Sequence, residues 1–144
     1  MGIEVNGEVW VRRPSGLLVA HGKNLVVTSG LDLLAKLSGG VGTLLSHMAI
    51  GNSNSASQLA MTALQGTELE RVALTSTVVS NNTITYSANF GASISITVTI
   101  REIGIFNNIA GGEMLCRFIC SGFDLSAGEN VAVTWAMTFS ASGA

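Results

Sequence analysis

The chain has 144 residues and a formal net charge of -2, with 47% hydrophobic and only 11% charged residues. This length suits a single domain, and the high hydrophobicity excludes an intrinsically disordered chain. No apolar run approaches the roughly 18 residues of a membrane-spanning helix, and seven basic against nine acidic residues form no stripe for binding nucleic acid. A chain this apolar is expected to cover part of its surface with other copies of itself or with a partner.

The N-terminal residues predict a strand pair. Apolar residues alternate with polar ones on either side of Asn6-Gly7, where we expect a turn, and a further short strand covers 17–20 after the turn at 14–16. We therefore treat 1–20 as an N-terminal arm or strand pair. Residues 21–144 are predicted to form a single β-sandwich domain.

One segment has helical periodicity and is predicted to form a helix over 30–38. Ser29 is a suitable N-cap, Asp32 stands three residues later as the acid of a capping box, and Gly39-Gly40 follows the segment. Its apolar stripe contains Leu31, Leu33, Leu34 and Leu37.

Most of the remaining chain alternates with a period of two. A short strand at 47–50 leads into a polar loop of small residues at 51–57, and the segment 70–90 predicts a hairpin that turns at Ser80-Asn81-Asn82. Further strands are predicted over 94–100, 114–121 and 131–139. The expected fold is mainly β, an antiparallel β-sandwich or jelly-roll with one short α-helix.

Few residues could carry catalysis or bind a metal ion. A zinc site needs three or four converging ligands, and His21 and His47 stand far in sequence from Cys116 and Cys120. The two cysteines lie about 13 Å apart if both occupy one strand, so we expect separate reduced thiols. The glycines at 39–42 lack the Lys-Ser/Thr of a phosphate-binding loop. We predict no enzyme activity, no metal site and no cofactor.

The acidic residues suggest structural roles. Glu68 and Glu70 could be imagined as glycosidase carboxylates, but solvation at the surface or ion pairing is the preferred interpretation. Glu102 continues the apolar face of its predicted strand, and a buried carboxylate must be paired or neutral. Arg71 stands at the start of a strand and could reach it. We therefore predict a structural ion pair between Arg71 and Glu102.

An ordered set of segments resembles a family of small structural proteins of tailed bacteriophages, found in tail-fibre bases and as accessory virion proteins. The most specific segment is the strand Thr-Ile-Arg-Glu-Ile-Gly-Ile-Phe at 99–106, which contributes Ile100, Arg101, Glu102, Gly104 and Phe106. The others are 24–27 with Gly30-Leu31, 48–51, 69–71, 112–117 and a closing strand around Trp135. The resemblance implies that Glu70-Arg71 and Arg101-Glu102 are signature charges inside the sandwich.

The function implied by this resemblance is a non-enzymatic virion protein assembled in the cytoplasm of a host bacterium. The length favours a homotrimeric capsid decoration (cement) protein, with the major capsid or tail proteins as partners and without nucleic acid or membrane. Under this interpretation, 1–20 is a candidate arm that contacts the capsid lattice. The alternatives are a tail component, namely a fibre base, collar or baseplate protein, and a receptor- or carbohydrate-binding jelly-roll that uses the 51–58 loop. Aromatic residues are scarce, at 6%, which argues against the binding module. The sequence leaves the partner-binding residues undetermined.

Overall fold

The alternation of apolar and polar residues produces ten strands and one helix in the computed structural model, which describes residues 2–142. The elements are β1 (Gly2–Arg12), β2 (Leu18–Lys23), β3 (Leu25–Val26), α1 (Thr28–Ser38), β4 (His47–Gly51), β5 (Glu68–Ala73), β6 (Ser76–Ser80), β7 (Thr83–Phe90), β8 (Val98–Phe106), β9 (Met114–Leu125) and β10 (Val131–Ser142).

These strands form two five-stranded antiparallel sheets. Sheet 1 has the order β2-β1-β10-β7-β6, and sheet 2 has the order β3-β9-β8-β4-β5. The chain passes from one sheet to the other after β2, β5, β7 and β9. The prediction of a mainly β sandwich with one short helix is confirmed.

The main core lies between the two sheets. Trp135 of β10 is fully buried and meets the ring of Phe118 on β9 edge to face, with 6.4 Å between the centroids. Sheet 1 also contributes Val9, Val11 and Tyr86, while sheet 2 contributes residues such as Met48, Ile50, Ile100, Ile103 and Ile105.

The first strand runs through the predicted turn without a break. β1 pairs with β10 from Gly2 to Arg12 and with β2 on its other side. Gly7 leaves room for the side chain of Asn24, because a Cβ at position 7 would collide with Oδ1 of Asn24. The same Oδ1 accepts a hydrogen bond of 3.3 Å from the Trp135 indole. The turn predicted at Asn6-Gly7 is therefore wrong. Residues 2–20 belong to the sandwich, with no boundary at residue 20, and contact with a lattice stays a prediction.

The predicted helix is present but begins two residues earlier than expected, at Thr28. Val27 precedes it with extended backbone and no side-chain cap, because the hydroxyl of Ser29 donates instead to the carbonyl of Met114 on β9. Gly30 lies so close to the backbone of Leu115 that a Cβ would collide with that carbonyl. Tertiary packing on β9 thus fixes the start of the helix, and the predicted cap at Ser29 is wrong.

Two strand predictions need correction. The turn at Asn81-Asn82 joins β6 to β7 as expected, but residues 68–73 form β5 in the other sheet, so the predicted 70–90 hairpin is divided between the sheets. The strand predicted over 94–100 begins only at Val98. Alternation of apolar residues alone does not show where a chain crosses between sheets.

The only tyrosine of the chain provides a test of core packing. Burial raises the pKa of Tyr86 to about 12, and the neighbouring Cys116 adds to the shift. Between pH 10 and 12 the unfolded chain loses this proton while the folded chain keeps it. Tyr86 should therefore contribute a fall of about 1.4 kcal/mol per pH unit to the free energy of unfolding in this range, in addition to any contribution from the buried thiols of Cys116 and Cys120. Urea unfolding at several alkaline pH values measures the slope. Tyr86→Phe should reduce it, and an unchanged slope would contradict the assignment.

Candidate functional site

The outer face of sheet 2 is covered by residues 52–67, which we call the covering loop. Met61 and Leu64 of this loop pack on a small apolar cluster formed by Val27, Ala49, Phe106 and Met114. The middle of sheet 2 is thus buried on both faces. On β8, Ile103 and Ile105 belong to the main core, whereas Glu102 and Phe106 lie under the covering loop.

A fully buried ion pair lies under the covering loop. Nε of Arg117 on β9 donates to Oε1 of Glu102 on β8 at 3.0 Å, and both side chains have no exposed surface. The same carboxylate accepts three backbone N–H groups of the loop, from Ser53 at 3.1 Å, Gln65 at 2.7 Å and Gly66 at 2.7 Å. These donors offset the loss of hydration that a buried carboxylate suffers.

The guanidinium group of Arg117 is bound to the first part of the same loop. Its Nη1 donates to the carbonyl of Ser55 at 2.7 Å and to the hydroxyl of Ser57 at 2.9 Å, and its Nη2 donates to the carbonyl of Ser53 at 3.1 Å. Arg117 therefore fixes the first part of the covering loop, and Glu102 fixes both its start and its end.

Glycines make room for this carboxylate. A Cβ at Gly51 would lie 2.6 Å from Oε2 of Glu102, and a Cβ at Gly66 would lie 2.9 Å from the same oxygen. Gly104 has a related role, because a Cβ there would lie 3.0 Å from the Phe106 ring and 3.1 Å from Leu64. The glycine in the Thr-Ile-Arg-Glu-Ile-Gly-Ile-Phe strand is thus explained by the close approach of the covering loop.

The predicted ion pair between Arg71 and Glu102 is not formed. Arg71 pairs with Glu68 at 2.7 Å and donates to the carbonyls of Asn108 at 3.1 Å and Gly111 at 2.8 Å. Its guanidinium carbon lies 3.9 Å from the centroid of the Phe106 ring. The guanidinium of Arg71 is therefore already held at the Phe106 end of β8 by other groups, and Arg71 itself stands on β5, two strands from β8. Arg117 stands on β9, which is adjacent to β8. The pairing order of strands, which decides the partner, is not visible in the sequence.

The remaining predicted charges occupy different environments. Glu70 is buried, as the resemblance implies and contrary to the surface position preferred from the residues alone. It accepts from the N–H of Gly91 at 2.7 Å and from the N–H and hydroxyl of Ser93 at 2.8 and 2.6 Å. It therefore fixes the connection from β7 to β8. Glu68 is exposed and ion-paired, and Arg101 is only partly buried on β8.

The histidines and cysteines lie in separate places. His21 contacts Glu8 at 2.6 Å and stacks on Trp10 on the outer face of sheet 1, and His47 lies 2.8 Å from the hydroxyl of Ser46. Cys116 is in the main core and Cys120 is partly buried; both thiols are free, as predicted, and burial raises the pKa of each.

An apolar groove of about 410 Å³ opens at one end of the sandwich, and we call it the end groove. It lies between α1, the segment that follows α1, and the inner face of sheet 1 beside β6. Leu44 and Val79 on its rim are exposed. It is lined by Leu34, Leu37, Ser38, Leu44, Leu45, Thr77, Val79, Ile84, Tyr86 and Phe139. The sequence did not indicate this groove, since it depends on how far α1 extends over the sheet.

Comparison with protein-family models, curated proteins and solved structures finds no match to this chain. Within residues 2–142, the single helix is too short to cross a lipid bilayer. In the same part of the chain, no three His, Cys, Asp or Glu side chains are grouped so that they could hold a metal ion.

Substitution of the buried carboxylate tests the role of the ion pair. Glu102→Gln leaves Arg117 as an uncompensated buried charge, which should lower the free energy of unfolding by about 3–5 kcal/mol. The covering loop should also become a substrate for thermolysin at Leu59 or Leu64. Urea unfolding and limited proteolysis with mass spectrometry measure the two effects.

Glu8→Gln is the matched control, because Glu8 makes a solvent-exposed ion pair with His21. Its effect on stability should stay within about 1 kcal/mol, and the covering loop should resist cleavage. Equal losses of stability in the two variants would refute the structural role assigned to Glu102.

Proposed function

We propose that this chain is a non-enzymatic structural protein of a tailed-bacteriophage virion, a homotrimeric decoration protein that stabilises the capsid shell. The ordered resemblance between residues 20 and 139 supports this proposal. In the fold, the 99–106 segment of that resemblance contains Glu102. Its carboxylate holds the covering loop, which we assign below to the contact with the shell. The virion location and the trimer are parts of the proposal.

The observation that carries the proposal is that the buried Glu102 and Arg117 side chains fix a covering loop that itself has no charged residue. The covering loop has sixteen residues without a single Asp, Glu, Lys or Arg, although two fully buried charges lie beneath it. Most of its side chains face solvent, and Leu59 near its middle is 56% exposed. A loop that is already ordered loses little conformational entropy when a partner covers it. We therefore assign the covering loop as the surface that contacts the shell.

Such a protein would act by mass action. Contacts that form only on the assembled shell add their binding free energy to that state and not to its dissociated parts. An uncharged surface around Leu59 suits this role, since binding does not require the desolvation of unpaired charges. The chain would thereby raise the resistance of the shell to internal pressure without any chemical step.

A second candidate is a tail component, either a fibre base, collar or baseplate protein or a receptor-binding module. The observation that favours the receptor-binding module is the pair of stacked rings of Trp10 and His21, 5.4 Å apart beside Glu8 on the outer face of sheet 1. Aromatic rings beside a carboxylate are suited to the apolar face and hydroxyl groups of a sugar. Under this alternative the chain would bind host glycans in isolation.

Binding to capsid shells tests the main proposal. Purified chain should co-sediment with undecorated shells assembled from the major capsid protein of the same phage. Leu59→Asp should reduce its affinity at least tenfold, because a charge would be buried at the contact. Ile109→Asp is the matched control, since Ile109 is 72% exposed in the β8–β9 connection and lies outside the covering loop. Its affinity should stay unchanged.

Two results would overturn the decoration role. One is a wild-type chain that leaves shells undecorated, and the other is Leu59→Asp binding as tightly as wild type. Binding of the isolated chain to host lipopolysaccharide, abolished by Trp10→Ala, would instead favour the receptor-binding alternative.

A further inference from the structure

The four edge strands of the two sheets differ in how they are protected against pairing with another chain. Natural proteins protect such edges with charged residues, bulges or very short strands. β2 carries Lys23 and a register shift against β1, β3 has two residues, and β5 carries Glu68 and Arg71 together with a register shift against β4. Three of the four edges are therefore protected.

The fourth edge strand, β6, has none of these features. Its sequence, Ser76-Thr77-Val78-Val79-Ser80, contains no charge and no proline, all five residues are exposed, and its register with β7 is unbroken. Within residues 2–142, β6 pairs only with β7, so the backbone groups on its other edge have no strand partner. Val78 is 55% and Val79 is 68% exposed. This is the pattern of an edge that accepts another strand.

We infer that β6 pairs antiparallel with β6 of a second copy of this chain, so that two five-stranded sheets become one continuous ten-stranded sheet. The occupant is a second copy because the segment is self-complementary. In a register centred on Val78, each Thr77 lies opposite Val79 of the other copy, and each Ser76 lies opposite Ser80. Such a contact is isologous and closes after two chains, so it does not extend into a fibre.

The end groove extends the same contact surface. Val79 belongs both to β6 and to the groove lining, so the two grooves meet on the inner side of the joined sheet. No charged side chain lines the groove or stands on β6, and hence no like charges oppose each other across the two-fold axis. Leu44 stands exposed on the rim of the groove, so we expect the same contact to cover it.

The apolar area that the two copies could bury together is just sufficient for a specific interface. An exposed aliphatic side chain removes on the order of 100 Å² of apolar surface from water when it is buried. Leu44, Val78 and Val79, together with the edge of β6 and the partly exposed groove lining, therefore contribute roughly 500 Å² from each copy. The total of about 1,000 Å² is at the lower limit for a biological interface, and backbone hydrogen bonds add to it.

This inference is independent of the proposed virion role, and the assembly mass separates the two. Pairing through β6 alone gives a dimer, a trimer alone gives three chains, and β6 pairing between trimers gives six. Native mass spectrometry of the purified chain at low micromolar concentration distinguishes these states by the number of 14.9 kDa subunits.

The decisive comparison is between Val79→Lys and Ile96→Lys. Val79→Lys adds a protecting charge to the β6 edge and should halve the mass of the assembly, from dimer to monomer or from hexamer to trimer. Ile96→Lys adds the same charge at a side chain that is 72% exposed in the β7–β8 connection, and it should leave the mass unchanged. Circular dichroism establishes that each variant is folded.

A second variant and a measurement on the wild-type chain make the test independent of how well Val79→Lys folds. Val78→Lys, on the opposite face of β6, should halve the mass in the same way. In wild type, the amide hydrogens of Thr77 and Val79 should exchange more slowly at high protein concentration than after dilution. A wild-type monomer or trimer, a mass that neither lysine changes, or amide exchange that does not depend on concentration would overturn the inference.

Discussion

A carboxylate without access to water must be surrounded by hydrogen-bond donors, and around Glu102 the chain supplies four: the guanidinium of Arg117 and the backbone amides of Ser53, Gln65 and Gly66. Three of these donors belong to one loop, so its path is set by the carboxylate as much as by its own sequence. Once the loop is fixed, it covers the outer face of sheet 2, and the small apolar cluster beneath it becomes a second core. The space that the carboxylate and the loop occupy in turn requires glycine at positions 51, 66 and 104.

The two sheets therefore differ in which of their faces and edges are exposed to solvent. Sheet 2 is buried on both faces at its middle, and both of its edge strands are short or charged. Sheet 1 buries only its inner face, leaves a row of small polar residues on its outer face and has an unprotected edge at β6. The two surfaces that we propose as contacts, the covering loop above sheet 2 and the β6 edge of sheet 1, therefore lie on different sheets. The proposed contact with a shell and the proposed contact with a second copy would therefore not compete.

The sequence predicts those parts of the fold that depend on neighbouring residues. Period-two alternation located most strands, and the leucine stripe with Gly39-Gly40 located the helix. Features set by packing between distant residues were missed, such as the start of α1 against Leu115 and the unbroken passage of β1 through Asn6-Gly7. For the site, alternation correctly indicated a buried Glu102, but the choice of partner depends on which strand lies beside β8. Arg117, eleven residues after Phe106, had no local pattern to mark it as that partner.

The pairing of β1 with β10 has a consequence for how this molecule folds. Gly2 lies opposite Ser142 and Arg12 lies opposite Ala132, so the central ladder of sheet 1 joins residues separated by 120 to 140 positions. The entropy of closing so long a loop is lost before those contacts can form, and this makes folding slow compared with that of a helical protein of equal size. During synthesis, β1 and β2 can pair only with each other until β10 has left the ribosome. Sheet 1 is therefore completed only when β10 is available to lie between β1 and β7, and the β6 edge reaches its final setting with that step.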